Sequence, residues 1–510
     1  MDKIKFIYDF CISDSIKMSI SYPNWDAAMF AYTISAHILL VTLSMGLAIT
    51  ITIAEFLALK KKDKYYDALA YKLSKALVIF FAVGTASGTV MAMELFLFWP
   101  AFMKLVGEVS IGPFYVEVFS FLLEAIALPM YVYFWKDFKN RWEHWGLSIA
   151  VTVGTYLSAF TVTEINAWMN TPNGFNIPHY LATGNVTDVN PLAPFLTPST
   201  AAEELHMSGG VYYAGMAFIL GYFIYKYLKA KNMDEKMIDR RAINIASAFL
   251  ILDIIYQGIT GSVELTTLLA IEPIKYSAME LDLYPVTYGA PEHIFGILVN
   301  HHPAYYINLP LAQSLLAYPF TFGHGSIPGL VPLTTYHGVT NYSVWPPSII
   351  HDTLDLMVGF GVLMGFYWLY VVIQYFRRKD PLSNKKTLIA GILFAAMGIF
   401  TMEDGWYTAE VGRVPFIIKS PVAGGLVVNG VKYYGTMTIA QAASTSPVVF
   451  PIGLAIIFFY AIIFPLTFYY AGKVMKISDT RADLEVGGND IKMEEERRNR
   501  KLNPVKTGMR

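Results

Sequence analysis

Apolar residues run in long blocks along this chain, and polar residues collect between the blocks. Nine blocks stand out, at roughly 27–58, 73–103, 113–135, 145–168, 207–229, 243–264, 348–376, 386–407 and 447–473. As a helix, each can cross about 30 Å of hydrocarbon. Only helices or closed barrels satisfy their backbone in lipid, and blocks of this length exclude strands. The pattern predicts an all-α polytopic membrane protein with nine transmembrane helices. It divides the chain into an outer N-terminal tail (1–25), a membrane domain (26–475) and a charged tail (476–510), read as a solvated cytoplasmic segment. Within the membrane domain, 265–347 is a long outer loop rich in Pro, Tyr and His, of the kind that carries function.

Charge sets the orientation. Lys60, Lys61, Lys62, Lys64 and Lys72 lie between spans one and two. Lys136, Lys139 and Arg141 follow span three, and Lys226, Lys229, Lys231, Lys236, Arg240 and Arg241 follow span five. Arg377, Arg378, Lys379, Lys385 and Lys386 follow span seven. The alternate loops are nearly bare: 170–205 has no Lys or Arg, and 265–347 has only Lys275. The positive-inside rule makes the basic loops cytoplasmic, which places the N-terminus outside and the C-terminus inside.

Composition agrees: 55% of residues are hydrophobic and 15% charged, too apolar for an ordinary soluble protein. The single Cys11 excludes an internal disulfide and any Cys-based zinc or iron–sulfur site. The first 25 residues lack a continuous apolar stretch and a small-residue cleavage site, and read as a retained tail.

A few polar residues intrude on the apolar blocks, and the topology gathers them toward the outer face. His37 lies about ten residues into span one, or roughly 15 Å deep. Glu94 is near the outer end of span two. Glu117 and Glu124 lie seven apart on span three, a spacing that gives them one helix face. His206 opens span five; His351, Asp352, Asp355 and Met357 open span seven; Glu403 and Asp404 close span eight. Ionisable groups in a membrane need a partner, a cavity or a cofactor. Imidazole and thioether suit haem iron, and a file of carboxylates can relay protons. A hydrogen bond between helices would also account for a lone His, and core packing for a Met. There is no C-x-x-C-H, H-E-x-x-H or P-loop signature. The His301–His302 pair in the outer loop reads as surface.

Over roughly 25–475 the chain resembles subunit I of the cytochrome bd oxidases, membrane haem enzymes that oxidise quinol and reduce oxygen to water. The resemblance lies in AYTISAHILLVTLSMGLA around His37, FAVGTASGTVMAME in span two, and Asn166-Ala167-Trp168-Met169-Asn170-Thr171-Pro172 at the end of span four. It continues in ELHMSGGVYYAGMAF at His206, in Glu403-Asp404-Gly405-Trp406, and in Ala409-Glu410-Val411-Gly412-Arg413-Val414-Pro415-Phe416. It implies that His206 and Met357 are axial ligands of a low-spin haem b, and that His37 and Glu403 each serve one of two high-spin haems. Two of the three haems would be haem b, and the third d or b. Glu117 and Glu124 would lie on a proton path. The resemblance also implies a second membrane subunit, residence in the cell membrane and haems toward the outer face.

Several positions depart from the family pattern. The span-two carboxylate of the family aligns with Ala92, with Glu94 two residues on. The quinol-loop Glu is present as Glu272, but its Lys partner is replaced by Thr267. The Arg two residues before the Met ligand is Asp355, which would repel a haem propionate unless protonated or paired with a base. Val414 and Phe416 stand where the family has Gln and Trp. These changes fall on the donor side. The expected activity is quinol:oxygen oxidoreduction with charge separation across the membrane. The alternatives are a related haem oxidoreductase with another donor or acceptor, and a haem-free ion or proton transporter.

Overall fold

The computed structural model describes residues 21–135, 137–299, 302–334 and 347–477. Among these, nine helices are long and apolar enough to cross a membrane. They are α1 (Tyr22–Lys61), α2 (Lys64–Phe98), α3 (Ile111–Tyr133), α4 (Arg141–Asn170), α5 (Thr200–Lys229), α6 (Met233–Ile271), α7 (Pro347–Phe376), α8 (Lys385–Val411) and α9 (Val449–Ile477). Each expected block lies on one of them, although the ends differ. The block 73–103 is broken at Trp99, and a separate helix, Pro100–Val109, follows. Pro100 lacks an N–H and suits the first turn of a new helix. α5 begins at Thr200, so His206 sits well inside it. α6 runs on to Ile271, so Thr267 is helical and Glu272 caps the helix.

The short basic loops share one construction. Asp63, Asn140, Asn232 and Asn384 each precede an even-numbered helix and accept a hydrogen bond from a backbone N–H of its first turn. Asx caps satisfy donors that a helix start leaves unpaired. α5 is central, packed by α1, α4, α6 and α8. It meets α1 at Gly215 and Gly46, where a Cβ on Gly46 would lie 2.5 Å from the Gly215 carbonyl carbon. Small residues let membrane helices approach this closely when lipid supplies no hydrophobic drive between them.

A buried polar knot ties the basic ends of α1 to α4. Arg141 Nη2 reaches Glu55 Oε1 at 3.1 Å and Asp67 Oδ1 at 2.8 Å. His144 Nδ1 lies 2.6 Å from the same Glu55 oxygen, and Tyr131 donates its hydroxyl to Glu55 Oε2 at 2.9 Å. Breaking such a buried charged pair by removing one partner typically costs about 3–5 kcal/mol.

The opposite end carries an ordered layer, called the outer layer after the side on which the charge pattern puts it. Between α6 and α7 lie a helix (Pro273–Met279) and paired strands β1 (Glu292–Ile294) with β4 (Ile307–Leu309) and β2 (Ile297–Val299) with β3 (His302–Ala304), all antiparallel. Between α8 and α9, β5 (Phe416–Lys419) pairs with β8 (Gly435–Thr438), and β6 (Leu426–Val428) with β7 (Val431–Tyr433). Cys11, Lys136, His301 and the tail beyond 477 lie outside the described residues, and His302 is exposed.

Candidate functional site

His37 projects from α1 against α2. Its Nδ1 lies 2.8 Å from the Ser87 hydroxyl, which donates to the Gly84 carbonyl at 2.9 Å. Ser87 thereby fixes the ring and leaves Nε2 as the nitrogen available to a metal. Gly88 gives the ring its space: a Cβ there would lie 3.1 Å from His37 Cε1. The glycine and hydroxyl pattern of the FAVGTASGTVMAME run thus has a local purpose.

His206 repeats this arrangement one helix pair away. Its Nδ1 faces the Thr260 hydroxyl of α6 at 3.3 Å, and a Cβ on Gly261 would come within 3.3 Å of Cε1. Gln257 donates to the His206 carbonyl at 3.1 Å. Met357, on α7, sets its sulfur over Gly405 of α8, where a Cβ would lie 2.8 Å from Sδ. Gly405 belongs to the Glu403-Asp404-Gly405-Trp406 run, so that run makes room for the thioether.

The carboxylates divide into paired and unpaired. Glu117 accepts from Ser158 of α4 at 3.2 Å. Glu124 is buried against α4 at Gly154, where a Cβ would lie 3.0 Å from the Glu124 amide nitrogen. Both therefore face α4, as their spacing of seven requires. Glu94 and Glu403 each have both carboxylate oxygens buried with no hydrogen bond of ordinary geometry among the described residues, although the hydroxyls of Thr33 and Ser35 lie close to them. One turn beyond Glu403 on α8, Tyr407 accepts from Ser35 of α1 at 3.1 Å, so this face of α8 meets α1 two residues before His37. Glu410 lies seven residues beyond Glu403 on the same face, but it is occupied. Asn166 donates to it at 2.7 Å, and Arg413 pairs with it while donating to Asn166 Oδ1 at 2.9 Å. Glu204, two residues before His206, also has both oxygens buried and unpaired.

Imidazoles fixed through Nδ1, beside glycine and among unpaired buried carboxylates, fit haem irons and their surroundings. Hydrogen-bonded buried groups are the rule in proteins, so carboxylates such as Glu94, Glu204 and Glu403, with both oxygens buried and unpaired, suit a region that takes a ligand.

Asp355 does not stand as an uncompensated charge. His351 Nε2 lies 3.3 Å from its Oδ2, the Phe295 amide donates to the same oxygen, and His351 Nδ1 faces the Met279 carbonyl at 2.6 Å. The pair fastens α7 to the outer layer. Asp352 is half-buried beside it.

At the C-terminal end of α6, Glu272 is buried with two cations. Lys419 Nζ of β5 is 2.6 Å from Glu272 Oε2, and Lys275 Nζ is 4.0 Å from the same oxygen. Burial pushes Glu272 up, but Lys275 and Lys419, with Arg413, outweigh it and hold the carboxyl below its ordinary range. Burial brings the Lys419 ammonium down to about 8, against the pull of Glu272. Thr267 takes no part, since its hydroxyl donates to the Val263 carbonyl at 2.7 Å in its own helix. Lys419, the Arg413–Glu410–Asn166 link and the Glu55–Arg141 knot had no weight in the sequence reading. Asn166, Glu410 and Arg413 each stand in a quoted motif, but nothing in the sequence joins the motif at the end of α4 to the one at the end of α8.

Comparison with known proteins places these features in a lineage. Residues 25–478 match the family described as cytochrome bd terminal oxidase subunit I. The chain is 27% identical over 428 residues to the cytochrome bd ubiquinol oxidase subunit 1 of Bacillus subtilis (strain 168), covering 81% of this chain and 84% of that protein. It is 22% identical over 460 residues to the cytochrome bd-II ubiquinol oxidase subunit 1 of Escherichia coli (strain K12), covering 78% and 88%. Among solved structures, the bd oxidase from Geobacillus thermodenitrificans superposes with a TM-score of 0.78 at 25% identity, over 90% of this chain and 99% of that one. The chain, with nine membrane-length helices among its described residues, belongs to the cytochrome bd oxidase subunit I family, membrane oxidoreductases of respiratory electron transport.

Proposed function

We propose that this chain is the haem-bearing subunit of a terminal oxidase that takes electrons from a membrane quinol and delivers them to oxygen. The observation that carries this reading is the repeated imidazole arrangement at His37 and His206, each fixed through Nδ1 and flanked by a glycine, within a bd-family chain. His206 and Met357 would hold a low-spin haem b. His37 and a carboxylate of α8 would hold two high-spin haems, one of them b and the other d or b. Bound there, haems would supply one-electron transfer and a site for oxygen. Glu403 is the α8 carboxylate proposed as ligand, because no cation or amide holds it and only the Ser35 hydroxyl lies close, while Glu410 is held by Arg413 and Asn166. Glu117 and Glu124, on one face of α3, would carry protons from the cytoplasmic side. Glu272 would accept the hydroxyl of the donor. A second membrane subunit would cover part of the lipid-facing surface, and the assembly would lie in the cell membrane with its haems toward the outer face.

His206→Ala is expected to abolish the low-spin haem signal in the reduced-minus-oxidised spectrum of the purified protein. An unchanged spectrum would sink the assignment. Glu403→Gln and Glu410→Gln, measured side by side, locate the carboxylate ligand: loss of a high-spin signal in the Glu410 variant alone would move it there. Thr267, Val414 and Phe416 favour a second reading, in which the same haems accept electrons from a donor other than quinol. Oxygen uptake that none of several quinols supports would decide for it. A purified protein with no Soret band would instead return the transporter reading.

A further inference from the structure

We infer that Lys419, on the strand after α8, is a positioning residue of the electron-donor site, supplying from a second outer loop the cation that holds Glu272 for the donor hydroxyl. The inference rests on the quinol reading above and adds a residue to it. Lys419 and Glu272 are 147 residues apart, yet Nζ and Oε2 meet at 2.6 Å with both side chains almost fully buried. Lys275 approaches the same oxygen at 4.0 Å, and its aliphatic stem lies against Gly412, where a Cβ would be 2.7 Å from Cε. Both ammonium groups thus engage Oε2. Oε1 is buried and has no hydrogen-bond partner among the described residues.

A buried carboxylate oxygen without a donor is costly, and a ligand hydroxyl is the kind of group that would relieve it. A purely structural ion pair is a weak source of stability, because desolvation offsets its attraction. This pair has a different geometry: both cations lie toward one oxygen, and the other is buried without a partner among the described residues.

Electrostatic coupling links this unpartnered oxygen's group to the helix turns next to the proposed low-spin haem ligand. Glu203 lies one turn before His206 on α5, within electrostatic range of Lys275 and Glu272, and is tied down by Asn170 at 2.8 Å. Glu264, one turn beyond the His206 partner Thr260 on α6, senses Glu203, Lys275 and Glu272. Arg413 is the remaining cation of the group. A donor hydroxyl at Glu272 Oε1 would therefore sit at the junction of α5, α6 and the β5–β8 ribbon. Thr267 leaves the role of cation vacant on α6 itself, since its hydroxyl is bonded within the helix.

The test uses membranes containing the assembled oxidase, with a short-chain ubiquinol and a short-chain naphthoquinol as probes. Lys419→Met and Lys419→Gln should each raise KM for the quinol on the order of tenfold, the effect of losing one charge-assisted contact. The dithionite-reduced spectrum should be unchanged, and kcat should fall much less than KM rises. Lys419→Arg should recover most of the loss. The Gln variant carries the same expectation if the Met variant fails to assemble. A wild-type KM in both variants, with haem reduced normally by quinol, overturns the role of Lys419 and leaves the quinol reading standing. A wild-type protein that neither quinol reduces, although dithionite does, takes down both.

Discussion

A glycine can be required for two different reasons here, and substitution separates them. At Gly46 an added Cβ would meet backbone, 2.5 Å from the Gly215 carbonyl carbon, and neither helix can give way locally. Gly46→Ala should cost about 1–3 kcal/mol of overpacking, read as a lower Tm with the haem spectrum retained until unfolding. At Gly405 the added Cβ would meet Met357 Sδ at 2.8 Å, the far end of a flexible side chain. Gly405→Ala should therefore fold with a Tm near that of the parent while displacing the thioether. If Met357 is the second ligand of the low-spin haem, the variant should show a lower midpoint potential and a gain of high-spin character, since a His/Met pair raises the potential. An unaltered potential would remove Met357 from the ligand set. Neither residue stands out in the sequence by type, because the chain has 37 glycines and 22 methionines.

At the scale of elements, the membrane helices and the outer layer respond to different chemistry. The layer between α6 and α7 rests on acidic groups inside it. Asp282 is buried, accepts from Gln313, and is pushed by that burial up to about 8. Glu280 is pushed in the same direction by burial, then by Glu292 and Asp282. A carboxyl with a raised folded-state pKa holds a proton that the unfolded chain has already released. Its contribution to stability is thus complete below the ordinary carboxylate range and is lost as pH rises through the folded value, here about 8. Limited proteolysis within 272–334 should accelerate as pH rises from about 6 to about 9, and Asp282→Asn with Glu280→Gln should flatten that rise. Cleavage rates in the parent protein that do not change over this interval would contradict the argument. The same layer was the least legible part of the fold. Its strands are three residues long and its helices short, so they impose no period on the sequence. The membrane helices were legible because lipid demands an unbroken apolar run from each. Their ends were harder to place, because Thr200–His206 is already helical before the apolar run begins, and Leu265–Ile271 continues the helix past Glu264, where the expected block ended.

For the whole molecule, what could be read from sequence depended on whether a signal was local. His37, Glu117, Glu124, His206 and Glu403 were visible because polarity is expensive in an apolar run, and each element shows that by itself. Lys419 with Glu272, and Arg413 with Asn166, join helices and loops far apart in sequence, so no window contains them. Orientation is a global property that is nonetheless written locally, in the loops. The Asx-capped basic ends all lie at one end of the bundle, and the outer layer covers the other. The positive-inside rule then places Asn185, an exposed residue between α4 and α5, outside the cell, and Ser383, an exposed residue between α7 and α8, inside. In a Cys11→Ser background, Asn185→Cys should react with a membrane-impermeant maleimide in intact cells, and Ser383→Cys only after the membrane is opened. The reverse pattern would invert the chain. It would then put the proposed haem cluster, Glu272 and Lys419 at the cytoplasmic face, and quinol oxidation there could no longer release protons outside.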